Sequence, residues 1–245
     1  MSKIFFTSDL HFSHKNIAKF CPHTRPQGTI DVLDEYMIEL WNDTVGVNDV
    51  VYNLGDLSFS YDLCRIKTVL ERLNGQHHLI FGNHDDVIAT HLDKLLTAKK
   101  LDGHPMLSSA QAYLKLKIAD KTLILFHYPI NEWDGCHKGY YHLHGHIHDR
   151  MADVAGRILN VGFDLHGKFL TLDDVAGYLG DLPKLNHHGD DSLLGGLDVP
   201  KALETGSYVQ VCQDDEWGRF LVDSHSLIEQ KFTAVNSQEI YPRTV

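Results

Sequence analysis

The sequence predicts an α/β protein. A parallel, helix-covered sheet is expected in the first half, a second, mixed sheet packed against it, and a small β appendage near the end. Three observations carry this. Short apolar runs alternate with segments of helical periodicity up to about residue 96, the pattern of a parallel sheet under helices. Between residues 112 and 162 the pattern turns to hairpin-like alternation and further short apolar runs. A Gly-, Asp- and Asn-rich stretch then separates a last group of strand-like runs from the rest.

In chain order, Lys3-Ile4-Phe5-Phe6-Thr7 reads as the first core strand, and residues 21–29, with Pro22, Pro26 and Gly28, as a loop. Leu33, Tyr36, Met37, Leu40, Trp41 and Val45 recur at helical spacing. Asp49 to Leu54 is the second strand; Leu63, Ile66, Val69, Leu70 and Leu73 mark a second helix; Leu79-Ile80-Phe81 is a buried strand, and Val87 to Leu96 is again helical. Ala112 to Ile118 alternates, Asp120-Lys121 reads as a hairpin turn, and Thr122 to Phe126 returns. Tyr140 to His144 and Arg157 to Gly162 are further strands, and Thr171 with Asp174 opens a last helix through about Leu179. The expected organisation is a catalytic domain over 1–180, a linker or long loop over 181–206, and a β appendage over 207–245, with runs at Tyr208–Val211, Phe220–Val222 and Leu227–Phe232 around a turn at Asp214 to Gly218.

Composition narrows the function. The chain has 245 residues and a formal net charge of −11, which disfavours a general binder of nucleic acid or of membrane surfaces. Cys21, Cys64, Cys136 and Cys212 are scattered, with no C-x-x-C pair, as expected of reduced thiols rather than a disulfide framework or a thiolate zinc site. Neither a signal peptide nor an apolar run of membrane-spanning length is evident, so a cytoplasmic location is expected. Histidine is heavily over-represented at 18 residues, five of them at 137, 142, 144, 146 and 148.

The polar residues that end the apolar runs form a pattern. Asp9 and His11 follow the first strand, Gly55-Asp56 the second, and Gly82-Asn83-His84-Asp85 the third; His127 and Gly145-His146-x-His148 follow two later runs. The carboxyl ends of strands in an open α/β sheet are where ligands bind. On an extended backbone Asp9 and His11 would point to one side, roughly 6–7 Å apart. Imidazole with carboxylate suits a borderline divalent metal. Any one cluster could be a turn or a helix cap; five at five strand ends point to a metal centre.

This series, in this order over residues 9–148, resembles the calcineurin-like metallophosphoesterase superfamily, and its flanking text (Asp9 to Ile17, His127-Tyr128-Pro129, Asn160-Val161-Gly162) resembles the small stand-alone members of bacteria and phages. The resemblance implies a four-layer α/β/β/α sandwich and two divalent metal ions, manganese first, with iron, nickel or zinc as the others. It implies that Asp9, His11 and His148 hold the first metal, that Asn83, His127 and His146 hold the second, and that Asp56 bridges them. A shared hydroxide would attack phosphorus in line, between ions roughly 3.5–4 Å apart, with His84 protonating the leaving oxygen or stabilising its charge. Such a site would be net positive even in an acidic protein.

Around it, His14 and Asn16 could touch a phosphate oxygen or merely start a helix. Tyr128 and Trp133 could stack on a nucleobase or form a packed wall. His142 and His144 could support ligands, Asp164 could orient a ligand histidine or begin a loop, and Arg25, Lys138 and Arg150 could contact phosphate, though a solvated position is the more expected one for each. Gly55-Asp56-Leu57-Ser58-Phe59-Ser60-Tyr61 lacks the Asp-Arg-Gly of protein phosphatases, and the negative charge disfavours long duplexes. The expected substrate is a small or nucleotide-like phosphodiester; the alternatives are a phosphomonoester and a non-catalytic metal-binding scaffold. The appendage could cap the site, form a homodimer or bind a partner.

Overall fold

The computed structural model describes residues 2–185 in full and, beyond them, the backbone of strands Tyr208–Gln213, Glu216–Leu221 and Thr233–Ala234. The elements run β1 (Ile4–Thr7), α1 (Ile17–Phe20), α2 (Ile30–Thr44), β2 (Val50–Asn53), α3 (Leu63–Arg72), β3 (Gln76–Ile80), α4 (Asp86–Thr90), α5 (Leu92–Thr97), β4 (Ser109–Gln111), β5 (Tyr113–Ile118), β6 (Lys121–Phe126), β7 (Tyr141–His144), β8 (Ile158–Asn160), α6 (Phe163–His166), β9 (Leu170–Thr171) and α7 (Leu172–Leu179).

Two mixed sheets form the α/β sandwich. The first has order β4-β3-β2-β1-β9, parallel throughout except for antiparallel β9; the second has order β5-β6-β7-β8, with only the β5–β6 pair antiparallel. Strand alternation divides the core between two faces. Phe5, Val51 and Leu79 turn outward to Met37, Trp41, Ile66 and Leu70 of α2 and α3. Their neighbours Phe6, Leu54 and Ile80 turn inward to Leu123, Leu125, Tyr141, Leu143 and Leu159 of the second sheet. The outermost layer over the second sheet is the leanest: Ile124 and Ile158 are covered by Trp133 and Cys136, around a 3-10 turn at Cys136–Lys138.

Helix starts follow side-chain chemistry. Thr29 and Asp62 cap α2 and α3, and Thr171 and Asp174 form a reciprocal capping box at α7. The helix expected over 87–96 is broken at His91, after Thr90, where two weak helix formers meet. Strand β4 was hidden because Ser-Ala-Gln carries no apolar pattern. The hairpin turn sits at Ala119-Asp120, since Ile118 already pairs with Lys121.

The chain divides into two compact units, Met1–Leu185 and Asn186–Val245. Residues 181–185 of the expected linker belong to the first: Arg157 donates to the carbonyls of Gly180 and Leu182, and Leu185 packs with Trp133. Residues 186–206, and the run at Leu227–Phe232, lie outside the described residues. In the second unit the order is Tyr208–Gln213, Glu216–Leu221, Thr233–Ala234, all antiparallel. Gln213 pairs with Glu216, so Glu216 to Gly218 are strand rather than turn. No helix among the described residues is long and apolar enough to cross a membrane.

Candidate metal centre

The chain leaves β1 by an unusual backbone. Asp9 and His11 adopt left-handed φ values of 58° and 49°, so they converge through successive tight turns and not by strand alternation. The turns are fastened to the neighbouring loop, with Asp9 N–H donating to the Gly55 carbonyl and His11 N–H to that of Asp56. Asp56, His146 and His148 are left-handed too, at 53°, 71° and 53°. Five of the seven left-handed non-glycine residues described are therefore expected metal ligands. Each such conformation costs about 1–2 kcal/mol, and such strain concentrates at functional sites.

The loops meet around Asp56. Its Oδ2 lies 3.7 Å from His11 Nε2, 3.6 Å from His127 Nε2 and 4.0 Å from His84 Nε2. Asp9, His11 and His148 form one group of converging ligand atoms, and Asp56, His127 and His146 another. Asn83 adjoins the second, its Oδ1 3.2 Å from His127 Nε2. His127 Nδ1 lies 2.6 Å from the Leu54 carbonyl and donates to it, which leaves Nε2 facing inward. Two glycines make this approach feasible. A Cβ on Gly82 would fall 2.5 Å from Asp56 N, and one on Gly55 would fall 2.5 Å from His127 Nδ1.

The donor set fits a metal. His11 is buried, yet neither of its ring nitrogens has a hydrogen-bond partner among the described residues. Buried polar atoms are nearly always paired, and a divalent cation between these groups would take up a His11 ring nitrogen. Burial keeps His11 neutral, its pKa held well below the usual imidazole value, and it lowers those of His127 and His146 as well. Neutral imidazole is the ligating form. Burial pushes the Asp9 carboxyl up to about 7, and the nearby Asp56 adds to this, while His148 opposes it. A cation bound beside Asp9 would favour its ionised, ligating form.

Two buried ions brace the loops. Asp85 accepts from the amides of Asp56 and Gly82 at one oxygen and of Leu57 at the other, at 2.9, 2.8 and 3.0 Å. Burial pushes its pKa up to about 7 against the pull of these donors. Arg25 is buried as well, with all three guanidinium nitrogens engaged by the protein: it donates to the carbonyls of Asp9 and Leu10 and, through Nε at 2.8 Å, to Asp164. Asp164 Oδ2 in turn lies 3.1 Å from His148 Nδ1, and this carboxylate raises the His148 pKa. Neither brace was visible in the sequence, because what each holds is backbone. Cys21, His148 and Asp164 also converge, but burial and Asp164 push the Cys21 thiol up to about 12, so it remains a protonated donor.

The surrounding residues sort plainly. His84 stands at the rim, its side chain 36% exposed and its N–H bonded to Asp56 Oδ1. A small cavity of about 50 Å³ beside it is lined by Phe59, Tyr61, Asn83 and His84. His14 packs edge-on against Phe59 at 4.1 Å and lies 5.5 Å from His11, whereas Asn16 is exposed at the start of α1 without a capping bond. Tyr128 packs against His127 and His146. Trp133 is buried, and its indole N–H bonds to the Tyr140 carbonyl, which makes it wall and not a stacking platform. His142 lies within bonding distance of the carbonyls of Ile124 and Tyr128, and His144 of that of Gly145; they support the ligand-bearing loops through backbone. A groove of about 430 Å³ between α2 and α3 is a separate feature, where Arg65 and Arg72 are paired with Asp31, Asp34 and Glu35.

No family model matches the chain. It is 42% identical over 86 residues to the uncharacterized protein MJ1445 of Methanocaldococcus jannaschii, a match that covers 35% of this chain and 48% of that protein; the chain thus spans about half the length of this relative. It is 28% identical over 200 residues to the Gene 66 protein of Mycobacterium phage D29, covering 74% of this chain and 98% of the phage protein. Among solved structures, the protein of unknown function AQ665 from Aquifex aeolicus superimposes with a TM-score of 0.55 at 18% identity, over 73% of this chain and 100% of that one, a likeness of fold.

Proposed function

We propose that the protein is a dinuclear-metal phosphoesterase acting on a small or nucleotide-like phosphodiester. The observation that carries this reading is the pair of ligand groups, Asp9-His11-His148 and Asp56-His127-His146, meeting at Asp56 on strained strand-end loops. Asp9, His11 and His148 would hold one divalent ion, Asn83, His127 and His146 the other, and Asp56 both, with manganese the favoured ion. When bound, the two ions supply Lewis-acid activation of water and of the phosphoryl oxygens.

The chain's own residues do the rest. His84, whose backbone is fixed by Asp56 Oδ1 and whose ring adjoins the cavity, donates a proton from Nε2 to the departing oxygen. Phe59 packs against both His84 and His14, and so sets the ring's orientation. His14 and Tyr128 flank the position a phosphate would take, one beside each ligand group. A diester is favoured over a monoester on charge: Arg25, the buried cation nearest Asp9, is committed to carbonyls and Asp164, which leaves one cation fewer for a dianion.

Hydrolysis of bis-p-nitrophenyl phosphate against p-nitrophenyl phosphate by manganese-loaded protein tests the reading. Faster diester turnover is expected, with His84→Ala keeping its metal while losing roughly 10²–10⁴-fold in rate. Preference for the monoester would instead make the protein a phosphatase, and no turnover of either would leave a metal-binding scaffold.

A further inference from the structure

The first ligand group is held from behind by a structure that spans the chain. Arg25 projects from the irregular 21–29 segment into the interior and stacks over Phe163, its guanidinium carbon 4.7 Å from the ring centroid. Three of its nitrogens are used: Nη2 on the Asp9 carbonyl at 2.9 Å, Nη1 on the Leu10 carbonyl at 3.0 Å and Nε on Asp164 Oδ1 at 2.8 Å. Thr24 Oγ1 donates to the same Asp164 oxygen at 2.8 Å, and the Cys21 thiol also hydrogen-bonds to this carboxylate. The remaining oxygen, Oδ2, faces His148 Nδ1. The His11 and His148 rings stack at 4.9 Å, 10° from parallel, so an orientation imposed on one ring is shared by the other.

We propose that Arg25 and Asp164 are a positioning pair for the first metal site, fixing the left-handed Asp9-Leu10-His11 turn through its carbonyls and fixing His148 as the Nδ1–H tautomer. An imidazole that donates from Nδ1 to a carboxylate carries its free lone pair on Nε2, the nitrogen left for a metal. The guanidinium fork matches two carbonyls and one carboxylate at once, and a lysine ammonium lacks that planar geometry. Neither Arg25 nor Asp164 bonds to the second group among the hydrogen bonds described, and the first group reaches it only indirectly, through the His146 N–H on Asp9, so the larger effect falls on one ion. The inference rests on the dinuclear reading of the site.

The test is manganese titration calorimetry on the full chain, with long-range proton–nitrogen correlation spectra of the histidines in metal-free protein. Wild type is expected to bind two ions and to show His148 protonated at Nδ1. Asp164→Asn keeps the shape but cannot accept from both Arg25 and His148 with one amide; it should shift His148 toward the Nε2–H tautomer. It should also weaken one of the two ions by roughly 10–100-fold and the other by far less. Arg25→Lys should weaken the same ion the most. Equal weakening of both ions, or folded variants with both affinities intact, would overturn the proposal. So would His148 carrying its proton on Nε2 in the wild type, a reading that needs no variant to fold. A wild type that binds fewer than two ions would sink the dinuclear reading, while the tautomer would still decide the role of Asp164.

Discussion

The two halves of the candidate metal centre are held by buried side chains of opposite hydrogen-bonding polarity. Around Asp9 and His11 the backbone turns its carbonyls inward, and the brace is a cation, Arg25, which can only donate. Around Asp56 and Gly82 the backbone turns its amides inward, and the brace is an anion, Asp85, which in its ionised form can only accept. The left-handed turns that aim the ligands explain both: each turn removes backbone groups from the sheet ladder, and a buried group of matching polarity has to satisfy them. The difference teaches that the ligands are the visible part of the site and that the braces are chosen by the backbone polarity each loop exposes.

The largest effect should come from removing the acceptor. Asp85→Ala strands the amides of Asp56, Leu57 and Gly82, at roughly 1–3 kcal/mol for each buried donor left unpaired. Urea denaturation of the metal-free variant should show a loss of several kcal/mol, and a loss under about 1 kcal/mol would mean that these amides find other partners.

A smaller effect should appear with pH, because the centre buries acids and imidazoles whose shifts oppose one another. His142 and His144 are held down to about 4 by burial, and His11 and His77 lie well below their usual value. A histidine with a depressed folded pKa contributes its full stability above about 6.5, and that stability is lost as pH falls toward 4. For His142 and His144 the loss is up to roughly 3 kcal/mol each. Asp9 and Asp85, both raised to about 7, act in the opposite sense, since their burial weakens the fold as pH rises from about 4 to 7. Four imidazoles outweigh two acids, so metal-free protein should lose denaturation midpoint from pH 6.5 to pH 4. A midpoint that rises over that interval would show the acids to dominate.

Much of the candidate site was legible in the sequence because the polar residues it gathers follow apolar strands directly. The runs ending at Thr7, Asn53, Ile80, Phe126 and His144 deliver their polar residues to one edge of the two sheets. What was misread had no side-chain signature. Asp9 and His11 looked like alternating strand residues, and only the backbone shows the left-handed turns. Arg25 looked like a phosphate contact because it lies in an aperiodic loop, and its partners are carbonyls, which leave no mark in a sequence. Trp133 looked equally suited to stacking and to packing until the Tyr140 carbonyl claimed its indole N–H. Asp164 does face a histidine, His148, as one of its two readings had it, but its pairing with Arg25, 139 residues away, lies at a distance that no local pattern reports.

The proposed dinuclear site turns on the Asp56 carboxylate, which stands between the two groups. Equilibrium manganese titration of wild type and Asp56→Asn tests it directly, since Asp56 Oδ2 faces His11 of one group and His127 of the other. Two ions per chain in the wild type, both weakened in the variant, is the expected result. One ion or none in the wild type, or a variant that keeps one site at full affinity, would contradict a centre built around Asp56.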